Sequence, residues 1–453
     1  VRCGFVAQRL TEVYPAVKGF WRHDLELSWG SMRISIVTIG TRGDVQPFIA
    51  LALGLQAAGH QVTINTHGTF RTFVETHGIA FAPLAGDIRA ILNDEAGRQL
   101  MAEANPLRAI RRLQGLAAPI IRQVTADILA ATYGCDLILG STLGYLNAVT
   151  AAEVHRVPLI LAALQPFTPT SAYPIPLLTA WPAQRPFAGA YHRLSYHATY
   201  RTLQLVMAGM GNTARRVLTG LPPLRYADVF GDLIHARRPV IYGFSEHLVP
   251  RPHDYAATVA VTGFWFLDQA SGWQPPADLR DFLAAGPAPV YVGFGSFGDG
   301  DPAAMARAVV DGLRQAGRRG LLLAGWQGLQ AERPGDDILV IDGAPHDWLF
   351  AHMALVVHHG GAGTAAAALR AGVPQLVVPF SADQPFWADR VQRAGVGGRP
   401  LPRRHLRAET LAEAIALTVD NTAIQATVRR LGAAVRHEDG VGRAVEVIEG
   451  MRG

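Results

Sequence analysis

The segment HHGGAGT, residues 358–364, combines two histidines, three glycines and a threonine. It follows the apolar run Leu355–Val357, which predicts a buried strand, and precedes an Ala-rich run typical of a helix. Small residues let a phosphate approach the backbone, and a helix N-terminus supplies free N–H groups and a positive dipole. His359 lies at this turn, where it could donate a hydrogen bond to a diphosphate. The alternative is a tight turn with a packed histidine, but the combination of residues favours phosphate.

Carboxylates occur in two other segments that predict polar loops. Asp44 lies in GTRGDVQP, residues 40–47, between the apolar run Ile34–Ile39 and a helix predicted over Pro47–Ala58. A carboxylate there could take the proton of a hydroxyl nucleophile, or it could cap the helix, and one residue could serve both roles. Asp383 and Gln384 follow the predicted strand Gln375–Val378, and by themselves they are compatible with the ordinary turn chemistry of a loop that caps this strand.

Alternating apolar and helical runs predict the elements that position these groups. We expect an α/β fold with two Rossmann-like parallel-sheet domains that face each other across a cleft, because ligands bind beyond the carboxyl ends of such strands. Predicted strands are Ile34–Ile39, Gln61–Thr66, Asp136–Leu139, Pro158–Leu164, Val240–Phe244, Val290–Phe294, Gly320–Ala324, Ile338–Ile341, Leu355–Val357 and Gln375–Val378.

The predicted domain boundaries follow changes in composition. Residues 1–31 lack alternation and predict an extension that is not part of the fold, and 32–250 predict the first domain. Residues 251–287 are rich in Pro and Gly and predict a linker, 288–422 a second domain, and 423–453 a C-terminal helix that returns to the first domain.

Composition excludes several classes of function. Lys18 is the only lysine, so the rest of the chain has no lysine for a P-loop or a Schiff base. Two cysteines cannot staple a secreted fold, and no apolar run approaches the length of a membrane helix. We therefore expect a soluble, cytoplasmic protein that binds no nucleic acid. Its bias towards arginine and alanine is typical of a GC-rich bacterial genome.

Arg108, Arg111 and Arg112 form a short cluster that predicts a solvated face or, alternatively, peripheral membrane contact.

Two long motifs resemble one known family. HHGGAGT with AGVPQLVVPFSADQPFWADRV, residues 371–391, resembles the donor-binding signature of GT-B fold nucleotide-sugar glycosyltransferases. MRISIVTIGTRGDVQPFIALALGLQAAGHQVT, residues 32–63, is similar to the N-terminal opening of the group that contains sterol glucosyltransferases and antibiotic-aglycone glycosyltransferases. The resemblance extends from Met32 to the C-terminus.

The resemblance implies a role for each matching residue. Asp44 is implied as the general base, and Asp383 and Gln384 as contacts of the donor sugar. The implied phosphate contacts are His359, Gly361, Gly363, Thr364, Gly295 and Ser296. The implied nucleobase contacts are Trp326, Ala344 and His346, with a core or rim position as the alternative for Trp326.

The nucleotide is less defined than the phosphate site. Plant members place a stacking tryptophan where this chain has Gly343, and a ribose-binding glutamate where it has Ala367. UDP is the default expectation, with dTDP as the alternative.

The acceptor side has weaker signals. Residues 163–210 are rich in aromatic residues and proline, including Phe167, Tyr173 and Trp181, and predict the wall of an apolar pocket or a loop that packs on the sheet.

The sequence also spells a DxD at 299–301, the metal signature of another glycosyltransferase fold. Because Pro302 follows Asp301, a helix cap is the favoured interpretation. The resemblance thus implies an inverting, metal-independent transfer of a hexose to a lipophilic small-molecule hydroxyl. A nucleotide-sugar epimerase and a non-catalytic nucleotide-sugar-binding protein are the alternatives.

Overall fold

Two parallel sheets organise the chain in the computed structural model, which describes residues 30–86, 106–178, 186–294, 302–323 and 335–451. The first sheet contains β1 (Arg33–Val37), β2 (Gln61–His67), β3 (Ala80–Leu84), β4 (Leu137–Gly140), β5 (Leu159–Ala163), β6 (Val240–Tyr242) and β7 (Val259–Val261). The second contains β8 (Val290–Gly293), β9 (Gly320–Leu323), β10 (Ile338–Ile341), β11 (Leu355–His358) and β12 (Gln375–Val377). The predicted α/β fold class with two parallel-sheet domains is confirmed.

Each sheet has one switch point, which is the place where its strand order reverses direction. The first sheet runs β3-β2-β1-β4-β5-β6-β7 and the second β10-β9-β8-β11-β12. Ile36 of β1 pairs with Ile64 of β2 on one side and with Leu139 of β4 on the other. The order therefore reverses between β1 and β4, and again between β8 and β11. Loops that leave such strands diverge and open a crevice at their carboxyl ends.

Helices cover both sheets. They are α1 (Arg42–Ala57), α2 (Arg71–Glu75), α3 (Pro106–Ala131), α4 (Tyr145–His155), α5 (Ala188–Thr219), α6 (Asp232–Ile234), α7 (Ala277–Ala284), α8 (Pro302–Gln315), α9 (His346–Leu349), α10 (Ala362–Ala371), α11 (Gln384–Arg393), α12 (Ala408–Val419), α13 (Thr422–Arg436) and α14 (Gly440–Gly450). Short turns of other helix types occupy Gly68–Phe70, Ala227–Gly231, Phe350–His352 and Arg403–His405.

Helix α1 begins five residues before the predicted start at Pro47. Thr41 is its N-cap, and the Thr41 side chain accepts a hydrogen bond from Gly43 N while the Asp44 side chain accepts one from Thr41 N. This capping box satisfies N–H groups that the first turn would leave free, so the helix begins at Arg42. Asp44 is therefore the third residue of the helix, and its carboxylate takes part in the cap although Thr41, not Asp44, occupies the N-cap position.

The connection between the sheets is more structured than its composition predicts. Strand β7 lies inside 251–287, so the first sheet extends past residue 250. Two helices, rather than one, follow residue 421: α13 packs on α10 of the second domain, and α14 packs on α1 of the first. His60, at the start of β2, accepts a hydrogen bond from Met32 N and lies 3.2 Å from the Glu449 carboxylate of α14.

Within the described ranges, a helix with the length and the apolar composition of a membrane span is not found. The side chains of Arg108, Arg111 and Arg112 lie outside the described part of the chain.

Candidate active site

Asp44 lies at the switch point of the first sheet, just beyond β1. Its Oδ2 accepts hydrogen bonds from Thr41 N at 2.7 Å and from Thr41 Oγ1 at 3.0 Å. Gly40 has φ +143°, and a Cβ there would lie 2.3 Å from Asp44 Oδ2. Glycine at position 40 therefore makes the space that the carboxylate occupies.

A small cavity opens beside Asp44 at the carboxyl ends of β1, β4 and β5. Its volume is about 10 Å³, close to the minimum that one water-sized group needs. Ile39, Asp44, Phe48, Ser141, Thr142, Leu143, Ala162, Leu164 and Gln165 line it. The residues from β4 and β5 were not among the predicted site residues, because only the parallel order of the sheet brings their loops to Asp44.

The HHGGAGT segment occupies the equivalent switch point of the second sheet. His358 ends β11 and is fully buried; its ring hydrogen-bonds Gln375 Oε1 at 3.0 Å and accepts from Gly360 N at 3.2 Å. Gly360 has φ +98°, which favours glycine. His358 is thus a packed, structural histidine, and it fixes the turn that carries His359.

His359 lies over the N-terminus of α10. A Cβ at Gly361 would lie 2.7 Å from His359 Nε2, whereas a Cβ at Gly363 would meet nothing within 4 Å. Burial lowers the pKa of His359 to about 4, opposed by a hydrogen bond to the Gly293 backbone. The imidazole is therefore neutral near pH 7, and its single N–H bonds the Gly293 backbone.

The N-terminus of α10 has no side-chain cap. Gly361 occupies the N-cap position without a side-chain hydrogen bond to the first turn, in contrast to Thr41 at the start of α1. Gly363 and Thr364 lie in that first turn. Uncapped N–H groups and the helix dipole favour an anion at this place. The predicted phosphate contacts His359, Gly361, Gly363 and Thr364 are therefore brought together around one open helix end.

Asp383 and Gln384 lie at the start of α11, and Gln384 performs the loop capping that the sequence offered as the alternative role of the pair. Gln384 is buried, and its Oε1 accepts hydrogen bonds from Phe380 N and Ser381 N. Asp383 Oδ2 accepts from Trp387 Nε1 at 2.9 Å. Burial raises the pKa of Asp383, and the charge of Asp44 raises it further. Contact with a sugar stays a prediction for both residues.

His346, in the second domain, lies within range of the charge of Arg42 in the first domain. Its ring stacks on Phe350, with centroids 4.4 Å apart. Burial lowers the pKa of His346 to about 4, and the charges of Arg42 and His359 act in the same direction. Groups of both domains thus share one electrostatic environment. Ala344, also predicted at the nucleobase, is half-buried two residues before His346.

Arg42 was absent from the predicted site, although it lies in the same GTRGD loop as Asp44. Its guanidinium lies 4.8 Å from the Phe73 ring centroid and donates to Gln269 Oε1 at 3.1 Å. Burial lowers its pKa. The presence of an arginine in the GTRGD loop, two residues before Asp44, could have indicated that Arg42 belongs to the site.

Phe167 and Tyr173 do not face open space in this structure. They are 7% and 2% exposed, which favours the alternative of a loop that packs on the sheet. Phe167 packs on Tyr200 and Tyr173 on Phe386 of α11, because aromatic side chains fill a core as readily as they line a pocket. Trp181, Gly295, Ser296 and Trp326 lie outside the described residues.

Within the described part of the chain, no group of three or more histidine, cysteine or acidic side chains is arranged to hold a metal ion. The DxD at 299–301 lies outside that part. Helix α8 begins at Pro302, as the proline pattern predicts.

Two family models match this chain. Residues 34–174 match the glycosyltransferase family 28 N-terminal domain, which covers the Asp44 loop and the cavity residues. Residues 328–440 match the C-terminal domain of the erythromycin biosynthesis protein CIII-like family, which covers the HHGGAGT turn and α11.

Curated relatives include two plant enzymes. Sterol 3-beta-glucosyltransferase UGT80A2 of Arabidopsis thaliana is 36% identical over 431 residues, covering 92% of this chain and 65% of its own length. Sterol 3-beta-glucosyltransferase UGT80B1 of the same plant is 34% identical, covering 92% of this chain and 67% of its own length. The chain thus spans about two thirds of these relatives, and a bacterial origin stays a prediction.

Solved structures agree on the fold. The glycosyltransferase of kitacinnamycin has a TM-score of 0.69 at 18% identity, covering 93% of this chain and 100% of that one. Glycosyltransferase VinC in complex with DTDP has a TM-score of 0.63 at 18% identity, with the same coverage. The sequence relatives and the two-sheet architecture together place this chain in the GT-B glycosyltransferase family to which the sterol 3-beta-glucosyltransferases belong.

Proposed function

We propose that this protein transfers a hexose from a nucleoside diphosphate sugar to a hydroxyl of a lipophilic small molecule, with inversion and without a metal ion. Family membership supports glycosyl transfer. The names of the plant relatives, which state a sterol acceptor and glucose, support the acceptor class and the hexose. UDP-glucose is the default donor, and dTDP-glucose is the second candidate because the neighbour VinC was solved with DTDP.

The observation that carries the proposal is the electrostatic contact between the two switch points. Burial is the main cause of the raised pKa of Asp383, but the charge of Asp44 adds to it across the cleft. A base on one domain and a sugar-side carboxyl on the other therefore lie close enough to act on one substrate pair.

Asp44 acts on the acceptor. A neutral alcohol is a weak nucleophile, so a carboxylate within hydrogen-bond reach takes its proton as the new bond forms. The acceptor oxygen bonds to the anomeric carbon while the bond from that carbon to the phosphate oxygen breaks. The bonding electron pair leaves with the nucleoside diphosphate, and the proton remains on Asp44. Attack from the face opposite the nucleotide inverts the anomeric centre.

His359 and the first turn of α10 act on the leaving group. When the donor binds, the single N–H of neutral His359 donates to the diphosphate in place of the Gly293 backbone, and the uncapped N–H groups beside Gly363 and Thr364 supply further hydrogen bonds. These dipoles are in place before charge develops, so the departing diphosphate needs no ion for its stabilisation.

The test is product formation from UDP-glucose and dTDP-glucose with a panel of sterol, macrolide and flavonoid alcohols. We expect nucleoside diphosphate release that requires an acceptor, a β-glucoside from the α-linked donor by NMR, and full activity in EDTA. Retention of configuration would overturn the inverting mechanism, and loss of activity in EDTA would overturn metal independence. Turnover of the donor without an acceptor would instead support an epimerase, and donor binding without turnover a binding protein.

A further inference from the structure

The cavity beside Asp44 has room for little more than one oxygen atom. Its volume is about 10 Å³, whereas the bulk of a sterol or polyketide needs a pocket of several hundred Å³. If the proposed function is correct, the acceptor cannot place its ring system in this cavity. Only the reacting hydroxyl fits beside the carboxylate.

The cavity offers two polar side chains that the fold itself leaves unused. Thr142 Oγ1 is buried with no hydrogen-bond partner among the described residues. The Gln165 amide likewise makes no hydrogen bond within the described part of the chain. The neighbouring hydroxyl, Ser141 Oγ, differs because it accepts from Gly144 N at 3.3 Å and so holds the turn into α4. A buried polar group without a partner is costly, so Thr142 in particular calls for an external partner.

The remaining walls are apolar and close. Ile39, Phe48 and Ala162 are at least 91% buried, and Leu164 packs against the core cluster that contains Phe48 and Ala162. Leu143 stands at the rim and is 63% exposed. Asp44, Thr142 and Gln165 thus form the polar part of a cavity whose remaining walls are apolar, and these walls leave little space for a substituent on the carbinol atom.

We propose that Thr142 and Gln165 hold the acceptor oxygen beside Asp44, and that the apolar walls restrict the reaction to unhindered primary and secondary alcohols. The acceptor O–H donates to Asp44, and the Gln165 amide N–H donates to one lone pair of the oxygen while the other attacks. The Thr142 hydroxyl shares the lone pair that Gln165 uses, in a three-centre hydrogen bond, so the attacking lone pair stays available. This inference rests on the proposed transferase activity and adds a specificity to it.

The first experiment removes each polar group with little change of volume. Thr142→Val and Gln165→Leu are each expected to lower kcat/KM for the acceptor about 10-fold, the usual worth of one hydrogen bond to a buried partner. Donor dissociation constants are expected to stay within 2-fold, roughly the level that separates a local from a structural effect. Matched controls are Thr76→Val and Gln56→Leu, whose hydroxyl and amide bond backbone carbonyls elsewhere in the first domain.

The second experiment enlarges the cavity. Leu164→Ala is expected to raise the ratio of the rate on a tertiary methyl carbinol to the rate on the parent secondary alcohol. The expected increase is about 10-fold or more, because removal of one steric conflict is typically worth that factor. The substrate pair is the secondary alcohol of the panel that reacts fastest and the tertiary alcohol obtained from it by adding a methyl group to the carbinol carbon. Leu53→Ala is the control, because Leu53 packs against the same cluster without lining the cavity.

The outcomes separate the two proposals. If the wild-type enzyme transfers to no alcohol of the panel, the proposed function fails before any variant is compared. If it transfers but Thr142→Val and Gln165→Leu match their controls, or if Leu164→Ala leaves the tertiary-to-secondary ratio unchanged, the hydroxyl cavity is overturned while the transferase stands. A loss that appears in donor binding as well would assign these residues to the fold rather than to the acceptor.

Discussion

The two switch points share a construction and differ in charge. In each, a strand ends in a glycine-containing turn that leads to a helix, and a missing Cβ makes room for a polar side chain: Gly40 for Asp44 and Gly361 for His359. At the first switch point, the N-terminus of α1 is capped by Thr41 together with the Asp44 carboxylate. At the second, the helix N-terminus is left without a side-chain cap.

This difference shows how one topology supports two chemistries. A carboxylate held by Thr41 is fixed in place with lone pairs that can take a proton. An open helix end beside a neutral histidine is instead suited to receive negative charge. Under the proposed function, the cap of the helix is one feature that separates the site of proton removal from the site of leaving-group stabilisation.

The largest expected effect comes from removing the charge at the first switch point. Asp44→Asn keeps an oxygen that can accept from Thr41 N, so the capping box and the melting temperature should persist. We expect kcat to fall about 100-fold or more, the usual cost of losing a general base. Initial-rate kinetics and donor titration check this. A similar loss of donor affinity, or a clear drop in Tm, would contradict the separation of roles.

The corresponding change at the second switch point is expected to act on the donor. His359→Ala should lower kcat/KM for the donor about 10- to 100-fold, because a hydrogen bond to a charged group is worth ~1.5–3 kcal/mol. His77→Ala, which removes a half-buried histidine of the first domain, is the control. An effect confined to the acceptor KM would reverse the assignment.

The histidines of the second switch point predict a stability that depends on pH. Burial lowers the pKa of His358 to about 3 and that of His359 to about 4 from the usual 6.5. Because the unfolded chain binds these protons first, the free energy of unfolding should fall as pH drops from 6.5 towards 4, by at most ~1.4 kcal/mol per pH unit for each histidine. Denaturant midpoints at several pH values test this. His358→Gln should flatten the slope, and a slope equal to that of wild type would contradict the buried neutral state.

The smallest expected effect distinguishes two glycines of one turn. Gly361→Ala places a Cβ 2.7 Å from His359 Nε2 and should lower both Tm and donor affinity, whereas Gly363→Ala meets nothing within 4 Å. Since alanine is the better helix residue, Gly363→Ala should raise stability by about 0.5–1 kcal/mol. Its donor affinity should fall a few-fold, because the new methyl group occupies the space beside the phosphate. Equal Tm values for the two variants would argue against the close approach of His359 to Gly361.

The sheets were predictable wherever strands are buried on both faces. Strands such as β1, β5 and β11 read as continuous apolar runs, since helices cover both sides of a parallel sheet. Strands β3 and β7, the two edge strands of the first sheet, were not predicted. Strand β3 contains Pro83 and is only partly buried, so it lacks the apolar pattern of a covered strand. Strand β7 is apolar and buried, but its three residues are a short signal within a Pro-rich segment.

The two halves of the candidate site differ in how far the sequence could predict them. The HHGGAGT turn could be predicted because its residues are contiguous from His358 to Thr364. Thr142 and Gln165 could not, because they meet Asp44 only through the order of β1, β4 and β5. Phe167 and Tyr173 were predicted at the acceptor on their aromatic character alone, and in this structure that character serves the core.

Helix α14 has a consequence for the order in which the protein can fold. Ala444, Val445 and Ile448 belong to the hydrophobic cluster that also contains Phe48 and Leu55 of α1. Ribosomes add residues at ~5–20 per second, so the partner of α1 emerges tens of seconds after α1 itself. During synthesis the helix that carries Asp44 therefore presents an incomplete core, and the first domain should reach its final stability only after the second has been made.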